Sequence, residues 1–200
     1  MPAPAFASPH AQALFERLST RTARVGVIGL GYVGLPPLAV EFGQAGFHVV
    51  GIDLDKHKCD AINAGTSYIA DVPSSAVASL VEADRLRAVP GLDAADSLDT
   101  INICVPTPLR KKTRDPDMTY VLSAAHLVKE YLRPGMLVVL ESTTYPGTTE
   151  EIVRNILEET GLRAGFDFFF LAYSPERVDP GNVKWNTKKT CRRSWGGPHT

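Results

Sequence analysis

The stretch VGVIGLGYVGLPPLAV, Val25–Val40, decides the fold of this chain. Three of its glycines, Gly29, Gly31 and Gly34, follow an apolar run with the spacing Gly-x-Gly-x-x-Gly. The spacing alone is a weak signal, because glycines at these intervals also occur by chance. It predicts a phosphate-binding turn only where a buried strand precedes the glycines and a helix follows them.

The sequence on both sides of the glycines meets that condition. The apolar runs ARVGVIGLG and GFHVVGIDLD predict two buried strands of a parallel sheet. Between them, PPLAVEFGQAG has apolar residues at helical spacing and closes at Gly46, which is typical of a helix that ends at a glycine. The order strand, glycine turn, helix, strand is the context in which this motif binds a dinucleotide.

The same alternation continues along the chain. Helices are predicted in DKHKCDAINAG, PSSAVASLVEADRL, DMTYVLSAAHLVKEYL and GTTEEIVRNILEET, and strands in TINICV, MLVVLEST and FDFFFLAYSPE. This order predicts an α/β fold of the Rossmann-like, doubly wound type, with a mainly parallel sheet and helices on both faces. We expect an N-terminal extension at 1–23, the cofactor domain at 24–189 and an aberrant, disordered tail at 190–200.

Charge and composition narrow the class of partner. The 200 residues include 21 basic and 22 acidic side chains, which gives a formal net charge of −1. Such a balance provides no strong field for nucleic acid or for an anionic membrane, so we expect a small-molecule ligand and neither of those partners. No uncharged apolar run reaches the ~18 to 20 residues that a membrane helix requires.

The three cysteines, Cys59, Cys104 and Cys191, are scattered and include no Cys-x-x-Cys pair. Neither a disulfide framework nor a zinc site is indicated, and we expect no bound metal. Unpaired cysteines are typical of a reducing compartment. We therefore expect a cytoplasmic protein.

Each glycine of the turn has a separate task in a dinucleotide-binding fold. Gly29 permits the tight turn after the strand, Gly31 lets the pyrophosphate approach the backbone, and Gly34 lets the helix pack close to the sheet. The start of the helix also offers unpaired N–H groups to the phosphates. The whole turn is therefore predicted to bind the cofactor: Gly29, Leu30, Gly31, Tyr32, Val33 and Gly34.

Asp53 lies 19 residues beyond Gly34, at the end of the second predicted strand. A carboxylate there can accept hydrogen bonds from the adenosine ribose and would repel a 2′-phosphate, which favours NAD over NADP. The alternative is that Asp53 caps the following helix. Lys58 has two open interpretations: it reaches the adenosine phosphate side of the cofactor, or it is a solvated surface lysine.

Four motifs occur in order along the chain: GLGYVGLP, CVPTPL, ESTTYPGTT and YSPERVDPGN. Over Arg24 to Lys189 the chain resembles the N-terminal NAD-binding domain of the UDP-glucose/GDP-mannose dehydrogenase family, with the last motif most similar to the UDP-N-acetylglucosamine 6-dehydrogenase branch. The resemblance implies NAD-dependent oxidation of the C6 alcohol of a UDP-sugar to a carboxylate, in two steps, for surface polysaccharide synthesis. A 3-hydroxyacid dehydrogenase begins with a similar fold, but SPERVDPGN argues against that alternative.

The resemblance also implies roles for individual residues. Thr107 and Thr143 would lie beside the cofactor, although capping and turn formation are their alternatives. Glu176 would be the catalytic glutamate that assists water and proton movements. Arg177 would bind a phosphate or carboxylate of the substrate, or else form a structural salt bridge. Pro180 stands where UDP-glucose enzymes carry a second glutamate, which favours an N-acetylated substrate.

The resemblance covers only the first part of a family member. The family continues into a dimerising helix and a second domain with the cysteine nucleophile, and no cysteine here matches it. We therefore expect these 200 residues to be inactive alone and not to form the family's homo-oligomer. The tail CRRSWGGPHT departs from the family pattern, which a shifted reading frame would explain. A catalytically silent NAD-binding regulatory or scaffold module is the alternative.

Overall fold

The computed structural model describes residues 8–92, 97–110, 115–165 and 169–175. Within these segments six strands form one parallel sheet in the order β3-β2-β1-β4-β5-β6. The strands are β1 (Arg24–Ile28), β2 (His48–Ile52), β3 (Leu86–Val89), β4 (Thr100–Ile103), β5 (Leu137–Leu140) and β6 (Phe170–Tyr173). The order reverses between β1 and β4, which is the switch point of a doubly wound sheet.

Helices connect the strands. They are α1 (Pro9–Ser19), α2 (Glu41–Gln44), α3 (Lys56–Asn63), α4 (Ser74–Glu82), α5 (Thr119–Tyr131) and α6 (Arg154–Glu158). Two π-helical segments, Leu35–Val40 and Thr148–Val153, run directly into α2 and α6. The predicted Rossmann-like α/β fold is confirmed.

Apolar residues cover both faces of the sheet. On one face, Ile28 and Ile52 share a buried core with α5 and α6. On the other, Val27 and Val49 share a second core with the π-helical segment Leu35–Val40, α3 and α4. Because successive strand residues point to opposite faces, the apolar runs found in the sequence supply both cores.

The predicted end of one helix is wrong. PSSAVASLVEADRL was expected to be helical throughout, but α4 ends at Glu82 and Leu86 begins β3. Asp84 takes a left-handed φ of 53°, which ends the helical turn and redirects the chain into the edge strand.

The helix after the glycine turn begins as a π-helix. Ala39 N–H donates to the carbonyl oxygen of Gly34, five residues earlier, at 2.9 Å. Such a turn contains one residue more than an α-helical turn. Two consecutive prolines, Pro36 and Pro37, lie in this π-helical segment.

The predicted N-terminal extension contains α1. Ser8 caps this helix by accepting a hydrogen bond from His10 N–H at 3.2 Å, and Pro9 occupies its first turn. The helix buries Ala11 and Leu14 against the domain. The predicted tail at 190–200 lies outside the described residues. In the part of the chain that the structure describes, no helix has both the length and the apolar character to cross a bilayer.

Candidate functional site

The glycine turn lies where β1 ends, at the switch point of the sheet. Gly29 has a φ of +90°, and a Cβ on it would lie 2.6 Å from the carbonyl oxygen of Cys104, just beyond β4. A Cβ on Gly34 would collide with the carbonyl oxygen of Gly29. Both glycines are therefore required by close backbone packing within the fold itself.

Gly31, unlike Gly29 and Gly34, is surrounded by open space. A Cβ added to it would meet no atom of the described residues within 4 Å, and its φ lies outside the left-handed region. Its N–H has no acceptor among the residues that the structure describes. The fold therefore does not require glycine at this position, whereas a ligand that approaches the backbone closely would require it.

The peptide groups on either side of Leu30 are fixed by two side chains. Leu30 N–H donates to Asp53 Oδ2 at 2.9 Å, and the carbonyl oxygen of Leu30 accepts from the Tyr68 hydroxyl at 2.6 Å. The Leu30 side chain is fully buried and packs against Gly51 of β2. A Cβ added to Gly51 would lie 2.7 Å from Leu30 Cδ2. Tyr32 and Val33 follow, both half-buried, before the helix begins.

Asp53 hydrogen-bonds to the glycine turn and keeps a free acceptor position for a ligand. Its Oδ2 accepts from Leu30 N–H and from Lys58 Nζ at 3.0 Å, and its Oδ1 accepts from Asp55 N–H at 2.9 Å. A carboxylate has about four lone-pair positions, so one acceptor position, on Oδ1, is left among these contacts. The alternative that Asp53 caps the next helix is wrong, because Asp55 caps α3 through His57 N–H.

Lys58 pairs with Asp53 instead of standing free in solvent, and its side chain is 34% exposed. The ammonium group therefore lies at the ribose-binding carboxylate proposed from the sequence.

Thr107 and Thr143 lie in the segments that follow β4 and β5. Because β1, β4 and β5 are parallel neighbours, both threonines lie at the same edge of the sheet as the glycine turn. Thr107 is half-buried and Thr143 is exposed. The neighbouring Ser142 fixes this edge by donating from its hydroxyl to the carbonyl oxygen of Val105 at 2.8 Å.

Glu176 and Arg177 lie outside the described residues. The described chain ends at Pro175, two residues beyond β6. Their sequence-based roles therefore stay predictions.

Two residues at this edge were not predicted from the sequence. Tyr68 is one: burial, and next the charge of Asp53, raise the pKa of its hydroxyl well above the usual range, so it stays protonated. Its contact with Leu30 spans 38 positions, and no local pattern indicates it. Glu141 is the other, a 4% exposed carboxylate directly after β5. A signal for Glu141 was present, because an acid ends the apolar run MLVVLE.

The two cysteines described by the structure lie in buried positions. Cys59 and Cys104 are buried free thiols. Burial raises the pKa of Cys59 despite the opposing hydrogen bond to the backbone of Asp53, so its reactive thiolate form is disfavoured. In the described segments, no group of three or more His, Cys, Asp or Glu side chains is arranged to hold a metal ion.

Comparison with known proteins identifies the family. Residues 23–197 match the model of the UDP-glucose/GDP-mannose dehydrogenase family, NAD binding domain. UDP-N-acetyl-D-mannosamine dehydrogenase of Escherichia coli K12 is 40% identical over 171 residues, which cover 80% of this chain and 39% of that protein. UDP-N-acetyl-D-glucosamine 6-dehydrogenase of Pseudomonas aeruginosa is 39% identical over 160 residues, covering 80% and 36%.

A solved structure gives the same result for the fold. NDP-N-acetyl-D-galactosaminuronic acid dehydrogenase from Methanosarcina mazei Go1 superposes with a TM-score of 0.73 at 36% identity, over 83% of this chain and 37% of that one. The chain spans less than two fifths of the length of these relatives. With a switch-point glycine turn, an acid after β2 and a family match over most of its length, the chain belongs to the UDP-glucose/GDP-mannose dehydrogenase family and carries that family's NAD-binding domain.

Proposed function

We propose that NAD binds at the glycine turn, and that the chain serves a 6-dehydrogenase that oxidises the C6 alcohol of UDP-N-acetylglucosamine to a carboxylate. The observation that carries the proposal is the open backbone at Gly31, one residue from the peptide N–H that Asp53 binds. A ligand with a pyrophosphate next to a ribose matches this pair of features.

The adenosine half of the cofactor is assigned to the turn and to Asp53. The pyrophosphate lies against the backbone of Gly29, Leu30, Gly31, Tyr32, Val33 and Gly34. The remaining acceptor position of Asp53 takes a ribose hydroxyl. A 2′-phosphate would meet that carboxylate, while Lys58 only partly offsets its charge, so NAD is preferred over NADP.

The reacting half of the cofactor is assigned to the neighbouring strands. Bound NAD supplies the chemistry by accepting a hydride from the alcohol carbon. Thr107 and Thr143 border it, since both follow strands next to β1. Glu176 acts as the general base that moves a proton from the substrate or from water, and Arg177 pairs with a substrate phosphate.

The substrate class rests on two observations. Pro180 replaces the second glutamate of UDP-glucose enzymes, and the similar proteins of Escherichia coli and Pseudomonas aeruginosa are named for UDP-N-acetyl sugars. The product would serve surface polysaccharide synthesis in the cytoplasm, where free thiols such as Cys59 and Cys104 persist. The whole enzyme would be a homo-oligomer.

Two measurements on the purified 200-residue chain test the proposal. Calorimetric titration should give saturable NAD binding and weaker NADP binding. Mixing the chain with NAD and UDP-N-acetylglucosamine should produce no NADH, because the family's cysteine lies in the second domain. Absence of NAD binding by a folded chain would overturn the proposal, and turnover by the chain alone would overturn its inactivity.

A chimera tests the substrate. Residues 24–189 would replace the matching domain of the Pseudomonas aeruginosa relative, with UDP-N-acetylmannosamine and UDP-glucose as competing substrates. The proposal predicts NADH formation with UDP-N-acetylglucosamine above both. A folded, NAD-binding chimera that prefers UDP-glucose would contradict the acetamido assignment.

A further inference from the structure

Tyr68 lies between α3 and α4 and reaches back to the glycine turn. Its hydroxyl donates to the carbonyl oxygen of Leu30 at 2.6 Å. The side chain is only partly exposed, with the residue 37% accessible. A short hydrogen bond from a loop tyrosine to the turn that holds the cofactor is not required by the helices or the sheet.

The contact fixes the direction of one peptide group. The carbonyl of Leu30 and the N–H of Gly31 belong to the same peptide plane, and no peptide bond among the described residues is cis. In a trans peptide these two groups point in opposite directions. The Gly31 N–H is therefore directed away from Tyr68, and it has no acceptor among the residues that the structure describes.

The other side of Leu30 is fixed as well. Its N–H is bound by Asp53, so the backbone of Leu30 is held by one side chain at each end. Without Tyr68, the peptide between Leu30 and Gly31 could rotate and turn its carbonyl oxygen toward an incoming phosphate. Two negatively polarised oxygens would then repel each other.

We propose that Tyr68 is a positioning residue for NAD: its hydroxyl holds the Leu30–Gly31 peptide so that the Gly31 N–H is free to donate to the pyrophosphate. This inference rests on the proposed binding of NAD at the glycine turn. Tyr68 suits the task because burial and the nearby charge of Asp53 raise its pKa, which keeps the hydroxyl a donor at neutral and mildly basic pH.

The test compares Tyr68→Phe with Tyr120→Phe, which removes a hydroxyl from a 50% exposed tyrosine in the first turn of α5. ADP-ribose and adenosine are the two probes, since only the first contains the pyrophosphate. Tyr68→Phe should weaken ADP-ribose binding by about 3- to 10-fold and change adenosine binding by less than about twofold. The Gly31 amide signal should shift in the ¹⁵N–¹H spectrum of the variant. Tyr120→Phe should change none of these.

The outcomes separate the two proposals. If the wild-type chain binds neither ADP-ribose nor NAD, the proposed function fails and this inference fails with it. If the wild type binds ADP-ribose and Tyr68→Phe binds it equally well, only the positioning role is overturned. Equal losses for ADP-ribose and adenosine, with a lowered melting temperature, would show a structural role and would also overturn it.

Discussion

Asp53 and Asp99 make the same contact at opposite ends of β1. Asp99 Oδ2 accepts from the N–H of Arg24, the first residue of the strand, at 2.9 Å. Asp53 Oδ2 accepts from the N–H of Leu30, two residues beyond the strand, at 2.9 Å. Both carboxylates are nearly buried, with exposed side-chain fractions of 7% and 12%.

Their other partners differ. Asp99 also pairs with Arg17 of α1 at 3.2 Å and with Arg133, after α5, at 3.4 Å. Among the described residues, Asp53 has Lys58 as its one cationic partner, and it lies next to an unobstructed turn. A buried carboxylate that binds backbone N–H groups can thus stabilise the fold, as Asp99 does, or also bind a ligand, as we expect of Asp53. A spare acceptor position next to open backbone indicates the ligand-binding role.

Of the two aspartate variants, Asp99→Asn should cause the larger loss of stability. The amide leaves Arg17 and Arg133 partly buried without a countercharge and weakens the bond to Arg24 N–H, which should lower the free energy of unfolding by about 1–3 kcal/mol. Urea denaturation measures this, and Asp60→Asn, in an exposed pair with Lys56, is the matched control. NAD affinity should not change. A selective loss of NAD affinity would show that Asp99 acts in binding and would contradict its purely structural role.

Asp53→Asn should act mainly on the cofactor. A hydrogen bond from a ribose hydroxyl to a charged carboxylate is worth more than one to an amide, so NAD affinity should fall roughly tenfold. The gap between NAD and NADP should narrow, because the charge that faces a 2′-phosphate is removed. Titrations of the variant with both cofactors measure this, again beside Asp60→Asn. Unchanged affinities for both would remove Asp53 from the site.

Glu158 is a third carboxylate that binds a backbone N–H and two arginines, as Asp99 does, and it lies away from the turn. It accepts from Ala164 N–H at 3.0 Å and pairs with Arg154 and Arg163. Burial raises its pKa, but these three partners lower it more, so the net shift is downward. A lowered folded-state pKa gives stability that is present above the unfolded value and is lost as pH falls through the folded value.

Glu158→Gln should therefore reduce the acid sensitivity of the fold below about pH 4.5. The effect should stay below about 1 kcal/mol, since the Arg163 side chain is 74% exposed and Arg154 is 46% exposed. Thermal melts from pH 6 to pH 3 measure it. An unchanged pH profile would show that Glu158 is not a structural carboxylate of the Asp99 kind.

Much of the fold could be predicted because β1, β2, β4 and β5 are apolar runs, and the first three of them are almost wholly buried. The edge strand β3 was missed, since Leu86–Val89 is only four residues long and alternates between buried and exposed positions directly after a helix. Four residues are too few for the alternation of β3 to stand out in one sequence. The helix α1 has helical apolar spacing, and it was missed because Pro9 interrupts the segment, although a proline in the first turn also fits the start of a helix.

The residues of the candidate site also divide into those that could be predicted from the sequence and those that could not. The tasks of the glycines and the position of Asp53 follow from spacing, because they belong to one strand-helix-strand unit. The contacts of Tyr68 and of Asp99 join distant segments, and their partners depend on how loops pass the sheet ends. Such contacts cannot be derived from local periodicity.

The central claim is that the open backbone at Gly31 receives the pyrophosphate of NAD. The most direct test is a calorimetric NAD titration of Gly31→Ala. Urea denaturation of the same sample measures its stability, and Gly34→Ala is the matched variant. Gly31→Ala should keep or gain up to about 1 kcal/mol of stability and lose NAD affinity by at least about tenfold. Gly34→Ala should be destabilised, by about 3 kcal/mol, because its Cβ collides with backbone. A stable Gly31→Ala chain that binds NAD as tightly as the wild type would contradict the account.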